Sequence, residues 1–223
     1  MLPSQTVENY LKTIFLAQIG LEKGDSLVPM GQIATALGVV PGTATTMIKA
    51  LSESGLVHYS PYLGVRLTAA GEKLAGLVLR RHRLIELFLV KVLGMSWAEV
   101  HDEAERLEHA VSERLIDRID DMLGRPAVDP HGDPIPTPEG RLPQIDHSDL
   151  LSAPEAVALE VTRITDQDPD FLRFAEQRRL IPGAIVVIEQ RDQAGDSIRL
   201  RTSEGETTTI GARAASKVLV RPR

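Results

Sequence analysis

Four candidate metal ligands lie in the run HDEAERLEH: His101, Glu105, Glu108 and His109. Spacings of four, three and one suit a helix, on which residues three or four apart are neighbours. At about 100° per residue, with Val100 at the origin, they fall at roughly 100°, 140°, 80° and 180°. Val100, Ala104, Leu107, Val111 and Leu115 fall between about −20° and 60°. The ligands therefore flank the apolar stripe, where a bound cation is partly enclosed. Upstream, His82 and Glu86 are also four apart. Two helices, each with a His-x3-Glu pair, can close a metal site between them. Imidazole with several carboxylates suits Mn2+, Fe2+, Co2+ or Zn2+, and the surplus of carboxylate favours the harder Mn2+. The bland reading is a solvated acidic face, since residues 99–121 carry nine acids against three arginines. The HExxH pattern of metalloproteases is absent.

Composition narrows the chemistry. The 223 residues contain no cysteine, so thiolate ligands, disulfides and thiol catalysis are excluded. A length of this size suggests one large domain or two to three small ones. No apolar stretch approaches the roughly 20 residues needed to span a bilayer. The opening MLPSQTVENYLKTIF lacks a signal-peptide pattern. The expectation is a cytoplasmic protein without a membrane partner. The net charge of −6 is a poor footprint for nucleic acid. The first 72 residues are nearly neutral, with Lys12, Lys23, Lys49 and Arg66 against five acids.

The elements that must position these residues can be read from periodicity and punctuation. Residues 6–19 form an amphipathic helix, and Gly24, Asp25 and Ser26 a loop. A short helix over 30–37 stops at Gly38, and Pro41 opens a helix over 41–54 that ends at Gly55. LVHYSPYLGVRLT reads as two strands joined by a turn. This order is that of a winged helix-turn-helix. Its second helix offers Pro41, Gly42, Thr43, Thr45, Thr46 and Lys49 as the DNA-facing set, small and hydroxyl-bearing near a helix N-terminus. A threonine-rich surface helix is the alternative.

A long helix over 69–93 is apolar on a broad face and suits dimerisation. A third long helix is expected over 96–123, with Ser96 and Glu99 as a capping box. The proline-rich stretch 125–151 reads as an irregular linker. Strands at 156–164, 185–190, 197–202, 206–210 and 217–220, with a helix over 169–179, suggest a small β-barrel. The fold class is mainly α with small β modules.

The run RRHRLIELFLVKVLGMSWAEVHDEAERLEHAVS strongly resembles the diphtheria toxin repressor family of iron- and manganese-dependent regulators. VENYLKTI, IATALGVVPGTATTMIKALSESGLV, the wing, DPHGDPIP and the C-terminal module extend the resemblance over nearly the whole chain. It implies a winged helix-turn-helix DNA-binding domain over 1–72 and a helical metal-binding and dimerisation domain over 73–142. A linker over 143–154 and an SH3-like β-barrel over 155–223 follow. It implies two metal positions per subunit. Glu105, Glu108 and His109 match the primary ligands, and Asn9 matches the ligand from the first helix. His82, Glu86 and His101 match the ancillary position. Asp168, or Asp170, lies where the SH3-like domain of long members contributes a ligand. Glu105 stands where iron-type members carry cysteine, which supports manganese. Asn9 and Lys12 depart from the manganese type, which has aspartate and a carboxylate there.

The implied function is a manganese-responsive repressor of metal-uptake genes, with iron(II) as the alternative metal. It binds a palindromic operator in double-stranded DNA as a homodimer and has no small-molecule substrate. Cation binding ties the first helix to the dimerisation helices. Without the cation, the acid cluster repels itself and the domains move independently. A metalloenzyme and a DNA-binding protein with a purely structural metal are the competing classes.

Overall fold

Ser4 opens the first helix, α1 (Gln5–Ile19), by accepting a hydrogen bond from the Val7 N–H. The computed structural model describes residues 4–21, 27–143 and 147–223. The expected loop at Gly24, Asp25 and Ser26 lies outside the described residues, as does part of the expected linker (144–146). The chain forms two compact units.

The first unit comprises Met1–His82, Glu108–Val111 and Pro136–Pro143. After α1 come α2 (Met30–Ala36), α3 (Pro41–Glu53), and the strands β1 (Val57–Ser60) and β2 (Gly64–Leu67). The strands pair antiparallel, with Val57 opposite Leu67 and Ser60 opposite Gly64. Gly38, at φ 63°, turns the chain between α2 and α3, and the Val39 N–H closes back on the Ala34 carbonyl. Leu11 and Ile14 of α1, Ile33 of α2, Ala44, Ile48 and Leu51 of α3, and Val57 and Val65 of the wing share one core. The helix-turn-helix and its wing are therefore held by packing that leaves most of the polar face of α3 outside.

Helix α4 (Ala69–Lys91) belongs to the first unit up to His82 and to the second from Arg83. Arg80, Arg81, His82 and Arg83 are four consecutive buried polar residues. A buried charge requires a partner, so these positions locate the polar chemistry of the molecule.

The second unit contains α5 (Val100–Leu107), α6 (Glu113–Met122), α7 (Pro169–Gln177), α8 (Ala212–Ala215) and one antiparallel sheet. Its strands are β3 (Ser148–Asp149), β4 (Ala158–Ile164), β5 (Ile185–Asp192), β6 (Ser197–Thr202), β7 (Thr207–Gly211) and β8 (Val218–Pro222). They are ordered β3-β8-β4-β5-β6-β7. Inward residues alternate along the strands. Val161 faces Val220 across β4 and β8, and Ile188 faces Leu200 across β5 and β6. With Leu172 of α7 and Leu180 they form the second core. β3 and α8 are too short to carry a periodic signal in the sequence.

Two sequence expectations need correction. The helix expected over 96–123 is broken into α5 and α6. In a continuous helix the Glu108 carbonyl would accept from the Ser112 N–H. Here it accepts from Arg81 Nε at 3.0 Å. Ser112 instead caps α6 by accepting from the Leu115 N–H. Nor does Ser96 form the expected box, because its hydroxyl accepts from the Ala98 N–H and α5 starts only at Val100. Glu108 and His109 thus lie off the helix, and the wheel angles computed for them do not apply.

The second correction concerns the proline-rich stretch. Among the described residues it lacks helix, and strand enters it only at β3, but its first part is packed inside rather than a free linker. Asp129, His131, Asp133 and Ile135 are all buried.

Candidate metal centres

In the first unit, six polar side chains from three segments meet. Glu8 and Lys12 come from α1, Arg81 and His82 from α4, and Glu108 and His109 from the segment after α5. Glu108 is 0% exposed, and both its oxygens are engaged. Lys12 Nζ donates to Oε1 at 2.6 Å, and His82 Nδ1 lies 2.6 Å from Oε2. Burial pushes the Glu108 carboxyl up, but the His82 hydrogen bond and the Lys12 charge outweigh it and hold the group below its ordinary range. Glu8 is engaged in the same way, by Arg81 Nη2 at 2.7 Å on Oε1 and His109 Nδ1 at 2.6 Å on Oε2. Two carboxylates, Glu8 and Glu108, thus face two fixed cations, Lys12 and Arg81.

His109 is held from one side of its ring. Its Nδ1 is held by Glu8, which assigns the proton to that nitrogen. Its Nε2 is buried, without a hydrogen-bond partner, and lies 3.2 Å from Glu108 Oε1. Asn9 Oδ1 is likewise buried without a hydrogen-bond partner. An imidazole lone pair beside a carboxylate fits a divalent cation of moderate hardness.

The second unit contains a different cluster. Glu86 of α4 meets His101 of α5, with Oε1 3.3 Å from Nδ1, and His101 Nε2 lies 3.8 Å from Glu105 Oε1. Glu86, Asp129 and His131 are all buried and place ligand atoms within 4.8 Å of one another. His131 Nε2 donates to the Trp97 carbonyl at 2.8 Å, and the imidazole stacks on the Trp97 ring with centroids 5.6 Å apart. The proton is thereby fixed on Nε2, and Nδ1, buried without a hydrogen-bond partner, keeps its lone pair. Asp129 accepts through Oδ1 from the His131 and Asp133 N–H groups, while its Oδ2 is buried without a hydrogen-bond partner. Burial first, then the charges of Asp133 and Glu86, hold Asp129 well above the ordinary carboxylate range, with Arg83 offsetting only part. An acid-rich pocket with one imidazole lone pair also fits a divalent cation.

The loop carrying these groups is fixed from β4. The Ile164 N–H donates to the His131 carbonyl at 2.8 Å, and Arg163 Nη2 lies 2.5 Å from Asp133 Oδ1. Gln167 Nε2 donates to the other Asp133 oxygen at 2.8 Å. Gly132 has φ 86°, and a Cβ there would collide with the Thr162 carbonyl oxygen.

The residues expected from sequence fall into place unevenly. Glu108 and His109 lie together, with Asn9 on α1 beside Glu8. His82 bonds Glu108, a residue expected at the other position. Asp168 accepts through Oδ1 from the Asp170 and Phe171 N–H groups and so caps α7, while Asp170 pairs with Arg173. Among the described residues, neither of these, nor His109, belongs to a group of three acids or histidines with metal-ligand spacing. Glu8, Asp129 and His131 were not anticipated. Glu8 had a signal: on the α1 wheel it and Lys12 lie about 60° and 100° from Leu11, at the edge of the apolar stripe. For the others the signal was two aspartates and a histidine in DPHGD.

On α3, Pro41, Gly42, Thr43, Thr46 and Lys49 are exposed and Thr45 is half-buried. The Thr45 and Thr46 hydroxyls donate to the Pro41 and Gly42 carbonyls at 2.9 and 3.0 Å. Among the described residues, no helix is long and apolar enough to cross a membrane.

Comparison with known proteins agrees with this anatomy. Residues 3–65 match the iron dependent repressor N-terminal DNA binding domain. Residues 68–137 match the metal binding and dimerisation domain of the same repressors, and 149–222 a FeoA domain. The iron-dependent repressor IdeR of Mycobacterium tuberculosis is 32% identical over 215 residues, covering 91% of each chain. The regulator MntR of Lysinibacillus sphaericus is 34% identical over 122 residues, 55% of this chain and 84% of its own. A solved manganese-dependent transcriptional repressor in complex with manganese superposes with a TM-score of 0.87 at 39% identity, covering 97% of this chain and all of the other.

Proposed function

We propose that this chain, which belongs to the iron-dependent repressor family of metal-dependent transcriptional repressors, is a manganese-responsive repressor of metal-uptake genes. It binds a palindromic operator as a homodimer when loaded with metal. The observation that carries the reading is the paired state of two histidines. In His109 and His131, one ring nitrogen is held by an acceptor and the other is buried without a hydrogen-bond partner beside carboxylates. Such an arrangement is what a coordinating imidazole requires.

Glu108, His109 and Asn9 are the proposed ligands of one position. Glu86, His101, Glu105, Asp129 and His131 are those of the other, and His82 holds Glu108 in place. Asp168 is assigned to capping α7. The oxygen and nitrogen donors, without cysteine, favour Mn2+. Similarity to a repressor solved with manganese supports the same choice. Iron(II) is the second reading, favoured by the match of iron-dependent repressors along 91% of the chain. When bound, the ion supplies a divalent charge that several segments share.

The chain's own residues account for the coupling. Glu8 and Lys12 already bond α1 to Arg81, His109 and Glu108. The acids of this cluster are therefore compensated, which replaces the self-repulsion expected from sequence. Loading shifts a population among conformers that already exist. Proposed domain limits are 1–72, 73–142, 143–154 and 155–223. Leu93, Leu107, Leu115 and Met122 leave apolar side chains exposed on the second unit, as a dimer face requires. Pro41, Gly42, Thr43, Thr45, Thr46 and Lys49 are the proposed operator contacts, with Lys49 on phosphate.

The test is binding of the protein to its own promoter DNA under chelator, then with Mn2+, Fe2+ and Zn2+ in turn. Binding is expected only with metal, and at the lowest free concentration relative to cellular supply with Mn2+. Equal binding in all four conditions would overturn the reading.

A further inference from the structure

We propose that Lys12 is a tethered cation that competes with the metal ion for Glu108, so that loading this position requires its ammonium to leave the carboxylate. The inference rests on the metal-responsive reading. Lys12 is only 7% exposed, unusual for a lysine, and its Nζ lies 2.6 Å from Oε1 of a fully buried glutamate. His82 holds the other oxygen, so neither is left to a newcomer alone. A divalent ion on Glu108 would sit one oxygen away from the ammonium. Like charges that close inside a protein repel far more strongly than in water.

One of the two cations must yield, and Lys12 is the one on a flexible four-carbon stem. Arg81, the other fixed cation, is tied at two points, to Glu8 Oε1 and the Glu108 carbonyl. The pairing has two consequences. It keeps α1 joined to the Glu108 segment when metal is scarce. It also makes metal uptake an exchange of one cation for another, which sets the threshold concentration higher than the bare acids would.

The experiment uses the full chain carrying Asp129→Asn, which disables the other proposed position. Lys12→Met and Lys12→Gln remove the charge, and Lys12→Arg keeps it. Each variant is titrated with Mn2+, read by the electron paramagnetic resonance of the free ion, and its thermal unfolding is followed in chelator. Lys12→Met and Lys12→Gln are expected to bind Mn2+ at least about tenfold more tightly and to unfold at a lower temperature in chelator. Lys12→Arg is expected to stay near the Lys12 parent. Should Lys12→Met fail to fold, Lys12→Gln carries the comparison. Affinity in the neutral variants equal to or weaker than that of the parent overturns the role of Lys12 alone. Absence of Mn2+ binding in every variant, the parent included, overturns the metal position itself.

Discussion

The two polar clusters are built from the same residue types and solve opposite problems. Around Glu108, each buried carboxylate already has a cation partner: Lys12 for Glu108 and Arg81 for Glu8. Around Asp129, the charges of Asp133 and Glu86 crowd a buried acid, with Arg83 pairing Asp129 and Asp133 and Arg163 reaching Asp133 from the rim. One cluster pairs each of its two acids with a cation; in the other, burial and neighbouring acids disfavour the charged form of Asp129. A cation must displace something from the first and relieves something in the second. On the proposed reading, the difference separates a position that gates the response from one that is ready for its ion.

The largest effect that would break this contrast lies at Glu108. Glu108→Gln leaves Lys12 and His82 buried without their carboxylate, and is expected to cost about 3–5 kcal/mol in urea unfolding with chelator present. A loss below about 1 kcal/mol would mean that the cluster is not compensated by that pair.

Asp129→Asn is the counterpart, with the opposite sign. It keeps the oxygen that accepts the two backbone N–H groups and removes a charge that the surroundings disfavour. Stability in chelator at neutral pH is expected to rise by about 1 kcal/mol, while Mn2+ binding at this position is lost. The pH dependences sharpen the same point. A carboxyl whose pKa is raised on folding, as for Asp129, contributes stability at pH below its ordinary value and loses it as pH rises through the folded value. One that is lowered, as for Glu108, contributes above its ordinary value and loses it as pH falls through the folded value. Wild type in chelator is therefore expected to lose stability on both sides. Asp129→Asn should remove only the loss at higher pH, and an unchanged profile would contradict the assignment.

The smallest effect is expected at Arg163, whose side chain is 30% exposed. Arg163→Gln loosens Asp133 from β4 and should cost about 1 kcal/mol or less. It should weaken Mn2+ binding at the Asp129 position a few-fold while leaving the Glu108 position unchanged. Equal weakening at both would show that the clusters are not separable.

Much of this architecture is legible in the sequence where local chemistry decides. Gly38, Pro41 and Gly55 punctuate the helix-turn-helix, and alternating Ile198 and Leu200 mark a strand half-buried in the second core. The break between α5 and α6 is not legible, because Arg81, distant in sequence, takes the carbonyl that would have continued the helix. The prolines of 125–151 make it read as an irregular linker. The polar groups of its first part are instead satisfied inside, by Arg83 and by the Ile164 N–H. Sequence spacing picked out Glu86, His101, Glu108 and His109, but Glu8, Asp129 and His131 acquire meaning only through their partners in space.

The central claim is that the two positions are unequal and that the compensated one governs DNA binding. It is tested most directly by one buffered Mn2+ titration of the wild-type protein. Free Mn2+ is read by electron paramagnetic resonance, and operator binding by fluorescence anisotropy in the same samples. Two ions per subunit are expected to bind in separate steps, with DNA binding following the second, weaker one. A single class of ions, or operator binding complete after the first step, would contradict the account.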